Sequence, residues 1–269
     1  MLTMDEQNWL NILRIAICIV ILGYSCITDW KTRRAPNTLW YIMGGIGLVL
    51  GVFELYGLNF SFSLLFSWIF GFLFVFVMVY FLYYFFGYFG MVGLGGADAK
   101  ALIAIALLFP YYPTIYIGSL NLPLVYSDRS IIFGFSVFGN ALALNLIVPV
   151  AILIYNLFKV PLSELKANPF GSFTGYKTSL EGLKGKHVRL MHKYTEQNGV
   201  IQTKKTFGGS ESDDETYKNL KKWRAEGKIG DKIWVTPKIP FLIPITVGFL
   251  VAVVFCDILT QLIAIFLLR

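Results

Sequence analysis

The first apolar segment of the chain gives way to a carboxylate and three basic residues in the stretch Ile27-Thr28-Asp29-Trp30-Lys31-Thr32-Arg33-Arg34. Charged side chains in or beside a membrane span are costly and usually serve a function. A second carboxylate, Asp98, follows Gly95-Gly96-Ala97 where the fourth apolar segment begins. The layout of the apolar segments therefore determines whether Asp29 and Asp98 can meet.

Six apolar segments each approach the ~20 residues that a helix needs to cross a hydrocarbon core of ~30 Å. Hydrophobic residues make up 56% of the 269 positions and charged residues only 14%, which is typical of an α-helical integral membrane protein. The sequence thus predicts six transmembrane helices. They are Trp9–Thr28, Leu39–Tyr56, Phe62–Phe86, Asp98–Gly118, Ile131–Phe158 and Phe241–Leu268.

Alternation of these spans places Asp29 and Asp98 at the same membrane face, because Asp29 ends the first span and two crossings intervene before Asp98. Most Lys and Arg residues, including Arg33 and Arg34 as topology signals, lie in the connections on that face, so the positive-inside rule predicts that it is cytoplasmic. This topology and attraction to anionic lipids explain the formal charge of +7. We expect a multi-pass protein of the cell membrane, with both carboxylates facing the cytoplasm and no nucleic-acid partner.

The connection between the fifth and sixth spans is long enough for a small α+β cytoplasmic domain over 159–238. Asn198-Gly199 favours a hairpin turn, and Ser212-Asp213-Asp214-Glu215 favours a helix start. The predicted elements are the strands His187–Thr195 and Val200–Phe207, a helix ending near Glu226, and a strand Lys232–Thr236. The membrane domain then comprises 1–158, with helices 1–5, and 239–269, with helix 6.

Two facing carboxylates ~3 Å apart cannot both ionise, so they share one proton and present a general base and a general acid to a water between them. One takes a proton from the attacking water, while the other protonates a scissile carbonyl oxygen and assists the leaving amine. Neither a metal nor a covalent intermediate is required. The three cysteines, Cys18, Cys26 and Cys256, lie in predicted spans and form no metal-binding or disulfide pattern. We therefore expect no cofactor and no metal.

The glycines before the second carboxylate, Gly93, Gly95 and Gly96, permit backbone conformations closed to other residues and let a substrate backbone approach closely. Each carboxylate also has an ordinary structural interpretation. Asp98 can be a helix N-cap after a glycine-rich turn, and Asp29 can be a helix-end acid balanced by neighbouring basic residues. Their shared membrane face favours the catalytic interpretation.

Two segments resemble the active-site motifs of the type IV prepilin peptidases, the GxGD-type aspartic proteases of the membrane (peptidase A24). They are Asp29-Trp30-Lys31-Thr32-Arg33-Arg34-Ala35-Pro36-Asn37 and Gly95-Gly96-Ala97-Asp98-Ala99-Lys100-Ala101-Leu102. The resemblance is to the archaeal branch, which processes preflagellins and archaeal prepilins. It extends to Ala106-Leu107-Leu108-Phe109-Pro110 and Trp234-Val235-Thr236-Pro237-Lys238-Ile239-Pro240-Phe241, and with the six-span layout it covers nearly the whole chain.

The resemblance implies an endopeptidase that cleaves the class III signal peptide of type IV pilin-like or flagellin-like precursor proteins at the cytoplasmic membrane face. It implies Asp29 and Asp98 as the catalytic pair, and Gly95, Gly96 and Ala97 as a turn for substrate approach. Ala97 stands where many relatives have glycine and lacks free access to positive φ. Bacterial relatives carry a cysteine-rich region and N-methylate the product, but neither that region nor a glycine-rich cofactor loop occurs here. We expect cleavage without N-methylation, with precursor proteins and the lipid bilayer as partners.

The fourth span is predicted to contain a helix that is too short to cross the hydrocarbon core. A helix from Asp98 to Phe109 covers about 18 Å before Pro110 and Pro113 disturb it, so it crosses little more than half of the hydrocarbon core. The catalytic end is therefore expected to be recessed. Lys100 lies about 200° around that helix from Asp98 and is interpreted as a headgroup contact or a topology signal.

Two alternative functions stay open at this point. One is a presenilin-like intramembrane protease, whose full set of motifs is not present here. The other is a proton-coupled transporter or relay protein that uses Asp29, Asp98 and Asp257, although the spans between these residues are almost wholly apolar. Asp257, deep in the last span, is expected to pair with a polar group such as Asn140 or Asn145.

Overall fold

The computed structural model of the chain describes residues 3–88, 94–124, 132–183, 187–197, 199–258 and 261. The chain divides into two compact units. The first, called the helical unit, draws on the chain up to Phe86, on the stretch that ends at Asn145 and on the chain after Pro240. The second, called the sheet unit, consists mainly of Leu146–Ile239.

The helical unit is built from long apolar helices and one short hairpin. Its helices are α1 (Met4–Thr32), α2 (Asn37–Gly57), α3 (Phe62–Tyr88), α4 (Gly96–Leu108), α5 (Phe133–Asn145) and α10 (Leu242–Phe255), and its hairpin pairs β1 (Ile115–Ile117) with β2 (Leu120–Leu122). The two strands of the hairpin run antiparallel, with Tyr116 opposite Asn121.

Both ends of α1 follow from local chemistry. At its start, Thr3 and Glu6 form a capping box, in which Thr3 Oγ1 accepts from the Glu6 amide at 3.3 Å and Glu6 Oε2 accepts from the Thr3 amide at 2.7 Å. At its end, Arg33 adopts the left-handed conformation with φ 57°, and its amide donates to the Asp29 carbonyl at 2.9 Å. The helix therefore stops one turn beyond Asp29.

Among the described residues, four helices are long and apolar enough to cross a membrane: Met4–Thr32, Asn37–Gly57, Phe62–Phe85 and Phe133–Lys159. They confirm a membrane protein that is mostly helical. The helix predicted to reach Gly118 instead ends at Leu108 after 13 residues, and the chain forms β1 beyond it. The last apolar run forms a helix only over Leu242–Phe255, and its predicted end at Leu268 lies outside the described residues. Six crossings therefore stay a prediction.

The backbone between α4 and β1 is not helical, because Pro110 and Pro113 lack the amide donors that a helix requires. It nevertheless runs alongside α1, since Asn11 donates to the Thr114 carbonyl at 3.0 Å. From Asn11 to Asp29, α1 rises roughly 27 Å, which is close to the thickness of a hydrocarbon core. The fourth apolar run thus follows most of the length of α1, although only its first part is a helix.

The polar groups around this extended segment are satisfied by other parts of the helical unit. The Tyr112 hydroxyl donates to the Ala252 carbonyl at 2.8 Å, and Trp68 Nε1 donates to the Leu107 carbonyl at the end of α4 at 3.1 Å. Asn8 both donates to and accepts from the Tyr116 backbone, at 2.9 Å in each case. Irregular backbone at membrane depth is tolerated only where protein groups bind it in this way.

A glycine face on α2 brings α4 unusually close. A Cβ atom at Gly47 would lie 2.7 Å from Leu108 Cα, and one at Gly44 would lie 3.2 Å from Leu107 Cδ1. Small residues at such positions let helices in a membrane pack backbone to backbone. The contact between α2 and α4 therefore depends on the absence of side chains at these positions.

A fully buried ion pair joins α1 to α2. Arg14 Nη2 lies 2.7 Å from Glu54 Oε2, and both side chains are inaccessible to solvent. The Tyr111 hydroxyl, from the extended segment after α4, donates to Glu54 Oε1 at 2.5 Å. These three side chains tie the extended segment to two helices.

The sheet unit contains α6 (Ile147–Lys159), α7 (Leu162–Ala167), α8 (Pro169–Thr174) and α9 (Asp214–Ala225), with the strands β3 (Tyr176–Ser179), β4 (Val188–Gln197), β5 (Val200–Ser210) and β6 (Lys232–Pro237). The strands form an antiparallel sheet in the order β3-β6-β4-β5. A core that includes Leu190, Leu220, Trp223 and Val235 packs α9 on one face of the sheet. Asn156 on α6 donates to the Ser172 and Gly175 carbonyls at 2.9 and 2.7 Å.

The predicted hairpin, helix and last strand of this unit are confirmed as β4–β5, α9 and β6. The hairpin turns at Gly199, whose φ is 77°, while Asn198 lies outside the described residues. The N-cap of α9 is Asp213, whose Oδ1 accepts from the Thr216 amide at 2.8 Å, one residue later than the Ser212 start that the sequence favoured. The sequence did not predict β3, α7 or α8, because each has six residues or fewer and little periodicity to detect.

The glycine face of α2 generates a first prediction. Gly47→Ala should lower the stability of the purified protein by about 1–3 kcal/mol, because the new methyl group meets the Leu108 backbone. Gly45→Ala is the matched control, since nothing lies within 4 Å of a Cβ atom there and alanine favours a helix by up to ~1 kcal/mol. Thermal unfolding in detergent measures both variants, and an equal response of the two would contradict the packing argument.

The buried ion pair generates a second prediction. Arg14→Met alone should destabilise the protein by about 3–5 kcal/mol, because it leaves the Glu54 carboxylate buried without its cation. The triple variant Arg14→Met/Glu54→Met/Tyr111→Phe removes every member of the cluster and should recover most of that loss. The same thermal unfolding measurement compares them. A triple variant no more stable than Arg14→Met would show that the cluster is not the coupled unit described above.

Candidate active site

Asp98 occupies the first turn of α4, where its carboxylate folds back over the helix start. Its Oδ2 accepts from the Gly95 amide at 3.1 Å, and only 9% of the residue is exposed. A Cβ atom at Gly95 would lie 2.7 Å from this same oxygen. Any side chain at position 95 would therefore push the carboxylate out of its place.

The remaining residues of the predicted turn have ordinary conformations. Gly95 has φ −68° and ψ 153°, which any residue adopts, so close approach rather than positive φ accounts for this glycine. Gly96 is exposed with open space around its Cα, and Ala97 lies within α4. Because Ala97 is helical, alanine carries no backbone penalty there. Gly93 lies outside the described residues.

Asp29 lies on the last turn of α1, where its side chain is half-buried. Its charge lies within electrostatic range of two other charged groups, Arg33 and Asp98. The structure thus places the two carboxylates in the same region of the helical unit. They are separated in sequence by α2 and α3, so their proximity depends on the packing of the helices.

The end of α1 also contacts the start of α10. Cys26, one turn before Asp29, places its Sγ 2.9 Å from the Thr246 hydroxyl and 3.4 Å from the Leu242 carbonyl. The sequence indicated no metal-binding or disulfide role for this cysteine and predicted no contact for it. Its contacts instead attach the carboxylate-bearing turn of α1 to the start of α10.

Arg33 is more than a topology signal in this structure. Its guanidinium carbon lies 5.9 Å from the centre of the Trp30 ring, a cation–π distance. Its Nε and Nη1 atoms are buried and have no hydrogen-bond partner within the part of the chain that the structure describes. Arg33 therefore packs beside the Asp29 turn, whereas Arg34 is exposed.

Lys100 makes a contact that the sequence did not predict. Its Nζ donates to Asn37 Oδ1 at 2.8 Å, which links the start of α4 to the start of α2. The two residues belong to the two motif segments, but neither segment shows in sequence that they touch. The available signal was that both residues lie at the same predicted membrane face.

Asp257 lies far from this pair, beyond the end of α10, and is 4% exposed. Asn140 binds the backbone on either side of it, donating to the Cys256 carbonyl at 2.9 Å and accepting from the Ile258 amide at 3.0 Å. The start of α10 is the end that contacts Cys26. Asp257 is therefore at the opposite end of α10 from the turn that carries Asp29.

The site offers one pair of carboxylates, one buried and one partly open. In the described residues, no cluster of three or more His, Cys, Asp or Glu side chains could hold a metal ion. Two adjacent carboxylates can hold and polarise a water molecule, with one taking its proton and the other giving a proton. The geometry is suited to hydrolysis.

Comparison with known proteins agrees with this chemistry. Residues 16–158 match the model of the Type IV leader peptidase family, and residues 167–258 match the model described as Archaeal Peptidase A24 C-terminus Type II. The preflagellin peptidase of Methanococcus voltae is 29% identical over 240 residues, which cover 88% of this chain and 93% of that protein. The preflagellin peptidase of Methanocaldococcus jannaschii is 24% identical over 249 residues, covering 90% and 92% respectively. Because one family model matches more than half of a helical membrane chain with paired carboxylates, the chain belongs to the type IV leader peptidase family and is a protease.

Proposed function

We propose that the protein is an aspartic endopeptidase of the cell membrane that removes the leader peptide from type IV pilin-like or flagellin-like precursors. The observation that supports this proposal is the proximity of Asp29, within electrostatic range, to the buried Asp98. The similarity to preflagellin peptidases over most of the chain supports the substrate class.

The two carboxylates divide the chemistry between them. The ionised one takes a proton from the bound water as its oxygen attacks the scissile carbonyl carbon, and the protonated one gives its proton to the carbonyl oxygen. The resulting gem-diol intermediate collapses when the first carboxylate gives its proton to the departing amine and the second carboxylate takes back a proton from one of the two hydroxyl groups. The dyad therefore ends in its starting protonation state, and no metal or acyl-enzyme is needed.

The shape of α4 supports a particular route for the substrate. A helix of 13 residues is roughly 20 Å long, which is less than the ~30 Å hydrocarbon core. Asp98 at its start is therefore placed below the headgroup level in our proposal. A precursor whose cleavage site directly precedes an apolar helix can move that helix through the lipid until the peptide bond reaches the dyad.

The predicted orientation completes the proposal. The positive-inside rule places the dyad at the cytoplasmic face, where a short basic leader peptide is found before export. The site takes no methyl donor in this proposal, so the enzyme cleaves the precursor without N-methylating the product.

Substitution of each carboxylate tests the two-acid mechanism. Asp29→Asn and Asp98→Asn should each lower the cleavage rate of a tagged precursor in proteoliposomes by ~100-fold or more, because each removes a general acid or base. Asp5→Asn, at the exposed start of α1, is the matched control and should cleave normally. Full cleavage by either active-site variant would exclude the dyad, and an uncut precursor with the native enzyme would favour a transporter.

The absence of methylation is tested separately. Precursor incubated with the native enzyme and S-adenosylmethionine should yield a mature chain whose mass corresponds to a free, unmethylated amino terminus. Intact mass spectrometry of the product measures this. A methylated product would contradict this part of the proposal while leaving the hydrolytic mechanism intact.

A further inference from the structure

The position of Asp98 depends mainly on α2 rather than on α1. Helix α4 packs along α2 far more extensively than it packs on α1, which carries the other carboxylate. Helices α2 and α4 run in the same direction, since their starts meet at Asn37 and Lys100 while Gly47 contacts Leu108 further along. The separation of Asp29 and Asp98 therefore depends on how α4 is positioned on α2.

The glycine face of α2 sets how close α4 comes, but it offers few side chains that resist movement of α4 along or around its own axis. Near the start of α4, the bond from Lys100 Nζ to Asn37 Oδ1 supplies such a restraint. Lys100 is two residues from Asp98, and Asn37 follows α1 after the turn 33–36. The bond thus connects the first turn of α4, which carries Asp98, to the residue that follows the turn after α1, which carries Asp29.

Resting on the proposed function, we propose that Lys100 is a positioning residue, whose hydrogen bond to Asn37 holds Asp98 opposite Asp29. Lys100 itself lies about 200° around α4 from Asp98, and its ammonium group is occupied by Asn37. It therefore acts through the helix rather than on the substrate. A residue that only marks topology would not need a side-chain partner on α2.

The first test separates positioning from folding and from charge. Lys100→Met and Asn37→Leu should each lower kcat by roughly three- to tenfold, as expected for loss of an exposed hydrogen bond to a charged group, with KM changed by less than about twofold. The double variant should be no worse than either single variant, because both remove the same bond. Lys100→Arg keeps a cationic donor and should restore most of kcat.

The matched control for charge is Lys166→Met, which removes an exposed lysine predicted to lie on the same membrane face. It should leave kcat unchanged. A Lys100→Met enzyme with native kcat, or effects of the two single variants that simply multiply in the double variant, would overturn the proposal.

The second test measures the geometry without catalysis. Asp29→Cys and Asp98→Cys are combined in a background with Cys18→Ala, Cys26→Ser and Cys256→Ala, and the rate of cross-linking by a short bifunctional thiol reagent is followed. Cross-linking should be roughly tenfold slower when Lys100→Met is added, and Lys100→Arg should restore it. Equal rates with and without Lys100 would overturn the positioning role, even if the enzyme proves to be a protease. Slower cross-linking in an enzyme whose Asp29→Asn variant still cleaves would instead uphold the role and refute the catalytic dyad.

Discussion

A backbone that leaves the helical conformation within an apolar environment must have its polar groups bound by the rest of the protein. This constraint acts on the chain just after α4, where Pro110 and Pro113 end the helix. Asn11 on α1 and Trp68 on α3 meet part of it, since they donate to the Thr114 and Leu107 carbonyls. The hydroxyls of Tyr111 and Tyr112 in turn donate to Glu54 Oε1 and to the Ala252 carbonyl. Hydrogen bonds thus join this part of the chain to α1, α2, α3 and α10.

The short helix has a functional consequence at its other end. Because α4 does not extend through a full hydrocarbon thickness, its start does not have to lie at the headgroup level. The carboxylate of Asp98 is buried there over the Gly95 amide, in space that a side chain at position 95 would fill. The candidate site thus has one enclosed carboxylate, Asp98, and one partly accessible carboxylate, Asp29.

Helix α2 contributes no reacting group, yet it positions both helices that carry the carboxylates. Helix α4 packs on the glycine face of α2, and a short turn connects α2 to the end of α1. Two helices that touch each other little can in this way present their acids to one another with a reproducible separation.

Much of this protein could be read from its sequence. Hydropathy identified the long helices, and the alternation of spans predicted that Asp29 and Asp98 share one face. The Asn198-Gly199 pair, the acidic start of α9 and the strand at Lys232–Thr236 identified most of the sheet unit, because turn and capping preferences are local. The break after Phe109 was likewise signalled by Pro110 and Pro113.

Other features were beyond local reasoning, because they depend on which helix lies beside which. The sequence attributed Gly95 to backbone freedom, whereas the folded chain explains it by the carboxylate that occupies the space. It did not pair Arg14 with Glu54, and it interpreted Lys100 as a headgroup contact or a signal of topology. Their partners lie on different helices, and no periodicity encodes the identity of a neighbouring helix. Composition and spacing thus specify the segments and the chemistry they carry, while packing alone establishes the distances at which that chemistry operates.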